Sequence, residues 1–185
     1  MNSKSYLFIL ILSIFLVSCG DDHLPKPKAM LRLEYPESSV DRLVSEKFIF
    51  EHNATAQVKK GKNLSVTLDY PLMKGSIFIT YKEVNNNLEE LLRDAQKLSY
   101  EHVVKADNIT EQPFINKKDR VYGMFYEVSG DAASQAQFYV TDSIRHFVTG
   151  SLYFRAKPNY DSIYPAAIYL QKDIRRIMES LRWNE

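Results

Sequence analysis

The residues Asp142, Ser143 and His146 are of the types that serine hydrolases use for catalysis. In those enzymes a histidine takes the proton of a serine hydroxyl, and a carboxylate orients the histidine. Here the three residues lie close together in the sequence, between two apolar runs, where we predict a tight hairpin connection. No Gly-x-Ser-x-Gly motif surrounds Ser143, and the sequence offers no evident oxyanion hole. The sequence therefore favours a turn, and a hydrolase centred on Ser143 and His146 is kept as an alternative hypothesis.

The histidines do not have the spacing of metal ligands such as His-Glu-x-x-His; they are at positions 23, 52, 102 and 146. Asp21, Asp22 and His23 are adjacent, but three neighbouring residues without a second cluster make a poor metal site. His102 falls in the last turn of a predicted helix, where the helix dipole favours a cation, so we interpret it as a helix-terminal residue rather than a catalytic base. We predict no catalytic residue, no cofactor and no metal, and therefore a protein that is not an enzyme.

The only cysteine, Cys19, follows an apolar run with one basic residue before it, which is the layout of a secretory signal. The run is too short to span a membrane. Leu16-Val17-Ser18-Cys19 resembles the bacterial lipobox, in which the cysteine is acylated and becomes the mature N-terminus. We predict a lipoprotein signal peptide at residues 1–18 and lipid attachment at Cys19. An acylated Cys19 leaves no thiol for a disulfide, a cysteine nucleophile or a thiolate metal site.

Without residues 1–18 the chain has the length of one domain. Lys4 is the one charged residue in the signal, so the remaining chain has equal numbers of basic and acidic side chains. This neutrality argues against a nucleic-acid partner and against electrostatic membrane binding, so we expect attachment through the acyl chains. Residues 19–29 hold the lipidated cysteine and a polar stretch with prolines and lysines, which predicts a flexible tether. The domain is expected at residues 30–185.

Short runs in the first half of the domain have the residues of β-strands. Met30–Pro36 alternates for a few residues and stops at its proline, which predicts an edge strand or an extended arm. Later runs predict three further strands: Phe48–Glu51, Leu64–Tyr70 and Ser76–Tyr81. Lys60–Asn63 and Pro71–Gly75 have the composition of turns, which favours antiparallel hairpins.

An amphipathic helix is predicted to begin after Asn87, which is a good N-cap, with Glu90 in the capping-box position three residues later. Apolar residues follow at helical spacing: Leu88, Leu91, Leu92, Ala95, Leu98 and Val103. This stripe is typical of a helix that packs on a core. Asp107-Asn108 and Gln112-Pro113 then predict a loop.

One block contains much of the aromatic content, and we predict strands in it over Val121–Val128, Gln135–Thr141 and Ile144–Phe154. The first of these is apolar on both alternating faces, as is typical of a central strand covered on both sides. The aromatic residues of the block are Tyr122, Phe125, Tyr126, Phe138, Tyr139, Phe147, Tyr153 and Phe154. They could form a sugar platform or a ligand pocket. Core packing is the preferred interpretation, because tyrosines can bury their rings while exposing their hydroxyls.

A last amphipathic helix is predicted to start at Asp161-Ser162, with Pro165 tolerated in its first turn. Its apolar positions are Ile163, Ala167, Leu170, Ile174, Ile177, Met178 and Leu181. We expect this helix to cover the sheet, with Trp183 completing the contact, rather than to bind a partner helix. The fold class is therefore α+β, an antiparallel β-sheet covered by helices in a single domain.

Several long segments together resemble the gliding motility lipoprotein GldD family. They include NNNLEELLRDAQKLSYEHVVKAD from Asn85, VYGMFYEVSGDAASQAQFYVTDS from Val121 and HFVTGSLYFRAKPNYDSIYPAA from His146. The resemblance implies a membrane-anchored, periplasm-facing component of surface gliding and of the associated type IX secretion system, without enzymatic activity. It also implies other gliding lipoproteins and secretion components as partners. Many members of the family carry cysteines near the strands matching Phe48 and Leu64, and this chain has none there.

The predicted order of elements also resembles the PsbP-like α/β sandwich, at the level of fold alone. Domains of that kind mostly act as accessory modules beside membrane machines, which agrees with a non-catalytic role. The alternative function is a periplasmic module that binds a small ligand or a sugar through the tyrosines of the aromatic block. The sequence leaves the choice of inner or outer membrane open.

Overall fold

The computed structural model describes residues 35–37, 39–100, 105–155 and 159–184. Within these ranges it contains ten strands and two α-helices. In chain order they are β1 (Val40–Val44), β2 (Phe48–Asn53), β3 (Gln57–Lys60), β4 (Val66–Tyr70), β5 (Gly75–Glu83), α1 (Leu88–Tyr100), β6 (Ala106–Asn116), β7 (Val121–Gly130), β8 (Ser134–Thr141), β9 (His146–Phe154), α2 (Tyr160–Ser180) and β10 (Arg182–Trp183). The signal peptide, Cys19, the tether and His102 lie outside the described residues.

The strands form two sheets in which all neighbours are antiparallel. The large sheet has the order β3-β4-β5-β9-β8-β7-β6, and the small one has the order β1-β2-β10. Strand β9 pairs with β5, so the segment α1-β6-β7-β8 is inserted between two neighbouring strands. The predicted α+β class with an antiparallel sheet is confirmed.

The large sheet is covered on one face by α2 and the small sheet together, and part of its other face is covered by α1. Helix α2 buries its predicted apolar stripe, including Leu170, Ile174 and Ile177, in the main core with Phe48 and Phe50 of β2. Helix α1 packs Leu91 and Ala95 against Phe147 of β9. Each helix therefore stabilises a separate cluster of apolar side chains.

Both predicted helices exist, and their starts differ in detail from the prediction. Asn87 is at the start of α1 as expected, since its carbonyl accepts a hydrogen bond from the Leu91 N–H at 3.1 Å. Its side-chain oxygen accepts from the Asn85 N–H at 2.8 Å and so fixes the turn before the helix. Helix α2 is capped by Asn159, whose side chain accepts from the Ser162 N–H, and not by Asp161 or Ser162. The helix therefore starts earlier, and Pro165 lies in its second turn.

The predicted loop after α1 is wrong, because residues 106–116 form the long strand β6. The strand is at the edge of the large sheet, and half of its side chains face water, so polar residues are tolerated there. Pro113 pairs with Met124 of β7 without breaking the register. A proline is acceptable on an edge strand when its missing N–H lies on the unpaired side.

Strand β7 is covered on both faces as predicted, but it is not central. It lies next to the edge strand β6 in the large sheet. Phe125, under α2, and Tyr126, on the opposite face, are both buried. The short strands β1 and β3 were not predicted, because their residues are mostly exposed and no buried face imposes an apolar pattern. Strand β10 was not predicted because two half-buried residues are too few to show alternation.

On one side, strand β2 is paired with the two-residue strand β10, which is too short to bond to all of its backbone N–H groups. Side chains of α2 accept hydrogen bonds from N–H groups that β10 does not reach. Strand β10 pairs only with Phe48 and Ile49. Further along, the Glu51 N–H donates to Ser180 Oγ at 2.9 Å, and the Asn53 N–H donates to Asp173 Oδ1 at 2.8 Å. Buried backbone donors need partners, so these two α2 side chains replace a missing strand.

Asp173 also joins α2 to the large sheet. Its Oδ2 accepts a hydrogen bond from the hydroxyl of Tyr70, the last residue of β4. Both groups are buried, and burial raises the pKa of Asp173 and that of Tyr70. Nearby, the Asn53 side chain donates to the Tyr169 hydroxyl at 2.7 Å, and that hydroxyl donates to the Pro36 carbonyl at 2.8 Å. One polar network therefore links both sheets, α2 and the start of the described chain.

We predict that Asp173→Ala lowers the free energy of unfolding by about 3 kcal/mol, because two buried donors lose their acceptor and each unsatisfied group costs about 1–3 kcal/mol. Thermal melting should show a Tm roughly 10 °C lower. Lys172→Ala changes an exposed residue of the same helix and should stay within about 0.5 kcal/mol of the parent protein. Equal effects of the two substitutions would contradict this role of Asp173.

Candidate functional site

The carboxylate of Asp142 organises the β8–β9 turn. Its Oδ1 accepts hydrogen bonds from the N–H groups of Ile144, Arg145 and His146 at 3.0, 2.8 and 2.8 Å. Burial opposes ionisation, but these three donors together outweigh it and lower the pKa of Asp142. Ser143 has a left-handed backbone conformation, with φ at 67°, within the same turn. The carboxylate is therefore used to build a tight turn.

The His146 ring has a different set of partners from a catalytic histidine. Its Nδ1 forms a hydrogen bond with the Tyr81 hydroxyl at 2.8 Å, so a phenol stands where a hydrolase would have a carboxylate. The ring stacks on Trp183 with centroids 5.1 Å apart, and burial lowers the pKa of His146. The geometry favours the predicted turn over the hydrolase alternative. Trp183 is also held by its indole N–H, which donates to the Arg120 carbonyl at 2.9 Å.

The described part of the chain contains no group of three or more His, Cys, Asp or Glu side chains arranged to hold a metal ion. His52 is buried, and its Nδ1 lies 2.9 Å from the Asn53 carbonyl. Asp21, Asp22 and His23 lie outside the described residues. The absence of metal and cofactor stays a prediction.

Core packing accounts for much of the aromatic block. Phe125, Tyr126, Phe138 and Phe147 are buried. Tyr139 stacks on Phe147 beneath α1, with centroids 5.7 Å apart and planes at 7°. These rings pack the large sheet against α2 and the small sheet on one face and against α1 on the other. Core packing was the preferred interpretation of the aromatic block.

One aromatic pair lies on the part of the sheet that α1 leaves open. Phe78 of β5 is 45% exposed, and its ring meets that of Tyr153 edge-on at 5.9 Å. The cross-strand neighbours of Phe78 are Thr67 of β4 and Ser151 of β9. These four residues define the open sheet face, on which the exposed Phe78 ring lies beside the half-buried Thr67 and the buried Ser151.

Beside the open sheet face, Asp69 holds two cations. Lys59 Nζ donates to its Oδ2 and Ser76 Oγ to its Oδ1, both at 3.0 Å, and Arg155 also donates to Oδ1. The hydrogen bond from Lys59 contributes most, and together with those from Arg155 and Ser76 it lowers the pKa of Asp69 to about 2 against the effect of burial. The cluster is an electrostatic contact that fixes β3 and the end of β9 to β4.

A groove of about 500 Å³ lies between the small sheet and the C-terminal part of α2. Arg42, Arg176 and Arg182 reach it from β1, α2 and β10, and Glu51 and Glu179 also line it. We call these five residues the arginine groove.

Carboxylates hold the arginines of the groove in place. Arg42 is 3.3 Å from Glu51, Arg176 is 3.5 Å from Asp173, and Arg182 is 2.7 Å from Asp119. The groove is thus lined by guanidinium groups that are paired with carboxylates, and arginine is a residue enriched in protein interfaces.

Among the described residues, strand β1 is the outer strand of the small sheet, beside the arginine groove. Of its outward backbone groups, the Arg42 N–H donates to Asp41 Oδ1 at 2.7 Å, and the Val44 carbonyl accepts from Lys60 Nζ at 3.5 Å. The Ser45 N–H donates to the Phe48 carbonyl, and the Ala54 N–H donates to the Ser39 carbonyl. In an antiparallel pair this alternation directs the backbone groups of residues 40, 42 and 44 away from β2. The side chains of Val40 and Val44 are 52% and 54% exposed. This strand was not predicted, because four of its five residues are exposed and no buried face imposes an apolar pattern.

The fold and these surfaces define a small α+β domain with a charged groove and an outer strand beside it. The family model of the gliding motility lipoprotein GldD matches residues 20–183. The chain therefore belongs to the family of gliding motility lipoproteins GldD, which confirms the resemblance in its sequence. No curated protein matches the chain closely enough to be described as its relative.

Family membership supports a role in gliding motility and association with a membrane of the cell envelope. Among the described residues, no helix is both long enough and apolar enough to cross a bilayer. Cys19 lies outside those residues, so lipid attachment there stays a prediction. The likeness to PsbP-like domains also stays a prediction beyond the confirmed α+β class.

We predict that Asp69→Asn lowers the free energy of unfolding by about 1 kcal/mol at pH 6, since both cations are mostly exposed and their attraction is screened. The folded-state pKa of Asp69 lies below its unfolded value of about 4, so this contribution is present above pH 4 and is lost as the pH falls towards 2. Urea unfolding at pH 6 and pH 2.5 measures the difference.

The matched control is Asp94→Asn, which removes an exposed carboxyl 3.9 Å from Lys82. It should change the unfolding free energy by less than about 0.5 kcal/mol at both pH values. An Asp69→Asn effect that is the same at pH 2.5 as at pH 6 would show that the ion cluster does not stabilise the fold.

Proposed function

We propose that the protein is a lipid-anchored, periplasm-facing component of the gliding machinery that also supports type IX secretion, acting by assembly and without catalysis. The observation that carries this proposal is the family match over nearly the whole domain. Its partners would be other gliding lipoproteins and components of the secretion apparatus.

Lipid attachment at Cys19 is supported by the position of the match. The family model begins at Gly20, directly after the cysteine that ends the lipobox. The family is described as a lipoprotein family, and the chain has no second cysteine that could be acylated. The acyl chains on Cys19 would then hold the protein at the membrane.

A non-catalytic role is supported by the use that the structure makes of its reactive side chains. Asp142 accepts hydrogen bonds from backbone N–H groups, and the His146 ring forms a hydrogen bond with the Tyr81 hydroxyl. Asp173 accepts hydrogen bonds from the Tyr70 hydroxyl and the Asn53 N–H. Each of these groups is held in a structural hydrogen bond.

The arginine groove and the outer edge of β1 are proposed as the surface that docks onto a partner protein, whose strand would displace the side chains of Asp41 and Lys60 from the backbone of β1. Unpaired strand edges bind extended segments of other chains, and flanking pockets then select their side chains. Val40 and Val44 would contact apolar residues of the partner strand, while Arg42 between them would pair with an acidic one. Arg42 belongs to both features, so it connects the edge to the groove.

The docking surface is tested by Arg42→Glu in a tagged copy that is crosslinked in intact cells, extracted in detergent and identified with its partners by mass spectrometry. We expect at least a fivefold loss of co-purifying gliding proteins and slower gliding, since the substitution reverses the central charge. The control Arg93→Glu makes the same change of charge on the exposed side of α1, away from the groove. It should leave the recovery of co-purifying proteins and the gliding speed unchanged.

A deletion strain tests the function itself. We expect it to lose gliding and to secrete less of the proteins that use the type IX system, and a Cys19→Ala copy should restore neither. A deletion strain that glides and secretes normally would overturn the proposed function, whatever the effect of Arg42→Glu.

A second candidate function is sugar binding at the open sheet face, which the exposed Phe78 ring with its neighbouring hydroxyls favours. We predict that, if this function holds, oligosaccharides give saturable heat in calorimetry with the protein and Phe78→Ala abolishes it. Ile115→Ala removes another exposed apolar side chain, on β6, and should leave the signal intact. Absence of a signal with envelope-type glycans would exclude this candidate.

A further inference from the structure

The loop between β4 and β5 presents an apolar side chain at one end of the large sheet. Pro71–Met73 forms a single 3-10 turn. Leu72, in the middle of that turn, is 92% exposed, the largest exposed fraction among the large apolar residues that the structure describes as exposed. A leucine in this position cannot contribute to the core, so its apolar surface is available for contact with something else.

The loop holds Leu72 in a fixed position. Pro71 is the first residue of the 3-10 turn, where its ring fixes the backbone. The Lys74 N–H donates to the Pro71 carbonyl at 3.1 Å, and the Lys74 carbonyl accepts from the Arg155 N–H at 2.7 Å. Because the backbone is pinned on both sides, little conformational entropy is lost when Leu72 binds.

The described chain starts at the end of the domain that carries the Pro71–Met73 turn. Pro36 lines a small cavity of about 50 Å³ together with Pro71, Leu72 and Met73, so the start of the described chain lies beside the loop. The Tyr169 hydroxyl donates to the Pro36 carbonyl at 2.8 Å and fixes that position on α2.

The number of residues before Tyr35 limits how far this end can be from the membrane. Fifteen residues lie between Cys19 and Tyr35. A fully extended chain of that length spans at most about 55 Å. An acyl anchor on Cys19 would therefore keep the Pro36 end of the domain within that distance of the bilayer, whereas the opposite end of the large sheet can lie farther away.

We propose that the Pro71–Lys74 loop contacts the phospholipid bilayer, with Leu72 inserted into its interface. This inference rests on the proposed lipid attachment at Cys19. A tethered loop meets the bilayer at high effective concentration, so one apolar side chain is enough for a measurable contact. Lys74, next to the turn, suits the phosphate groups at that depth. A lipid surface is favoured over a protein partner because the anchor keeps this end of the domain within reach of the bilayer.

The opposite end of the sheet supplies a matched control. Ile144 is also apolar and is 62% exposed, in the β8–β9 turn. The register places β9 residue His146 beside Glu83 at one end of β5, and Phe154 beside Gly75 at the end that carries the Pro71–Lys74 loop. Ile144 therefore points away from the end where the chain arrives.

The experiment anchors the mature chain by a histidine tag in place of Cys19, on vesicles of phosphatidylethanolamine and phosphatidylglycerol with a nickel-chelating lipid. The chain then has no other cysteine, so Leu72→Cys and Ile144→Cys each give one site for a bimane label. We expect nitroxide-labelled lipids to quench the label at position 72 at least threefold more than the label at position 144. Equal quenching at the two positions would overturn the proposal.

A second measurement tests whether the side chain of Leu72 is needed for the membrane contact. With the label on Thr55→Cys, whose residue lines the same small cavity, Leu72→Asp should reduce quenching by more than half, and Ile144→Asp should not change it. Both altered side chains are exposed, so Tm should be unchanged. Unchanged quenching in Leu72→Asp would show that Leu72 does not insert.

The tagged chain does not need lipidation, so failure of this inference is separate from failure of the proposed function. Intact mass of the protein purified from its native membrane reports on the acyl chains at Cys19. Acylation with equal quenching at positions 72 and 144 would reject the loop contact alone. Lack of acylation would reject the proposed anchor, and with it the membrane contact in the cell.

Discussion

The architecture depends on the carboxylate of Asp173. It accepts from the backbone of β2 and from the hydroxyl at the end of β4, while its own backbone belongs to α2. Three elements from different parts of the chain are therefore fixed by one buried acceptor, whose removal would leave donors in an apolar interior. The small sheet has only a two-residue third strand, so without α2 it would lack partners for its central strand.

This constraint determines which surfaces are available for function. Helix α2 and the small sheet cover one face of the large sheet, and where they meet they form the arginine groove. Reactive groups such as Asp142 and His146 are used in hydrogen bonds that shape turns and fix strands. The described residues present to the outside a groove, an outer strand, an open sheet face and an apolar loop.

Local patterns predicted the strands around Leu68, Phe125 and Phe147 and both helices, because burial of one face imposes a regular spacing of apolar residues. Strand β6 was missed, since an edge strand tolerates Thr, Glu, Gln and Pro wherever side chains meet water. The Asp173 network could not be predicted, because Tyr70 and Asp173 are 103 positions apart and polar residues carry no periodic signal. The family was recognised from long matching segments, whereas the groove arises only when β1, α2 and β10 meet.

Pro113 affects whether two copies of the protein can pair through their β6 strands. Proteins held on a membrane move in two dimensions and collide edge to edge far more often than free ones. A long uninterrupted outer strand would let such copies join into a continuous sheet, as in fibrils. In β6 the proline withdraws one donor near the middle of the strand, so a neighbouring copy cannot form a full ladder. A ladder between the β6 strands of two copies would therefore lack a hydrogen bond at Pro113.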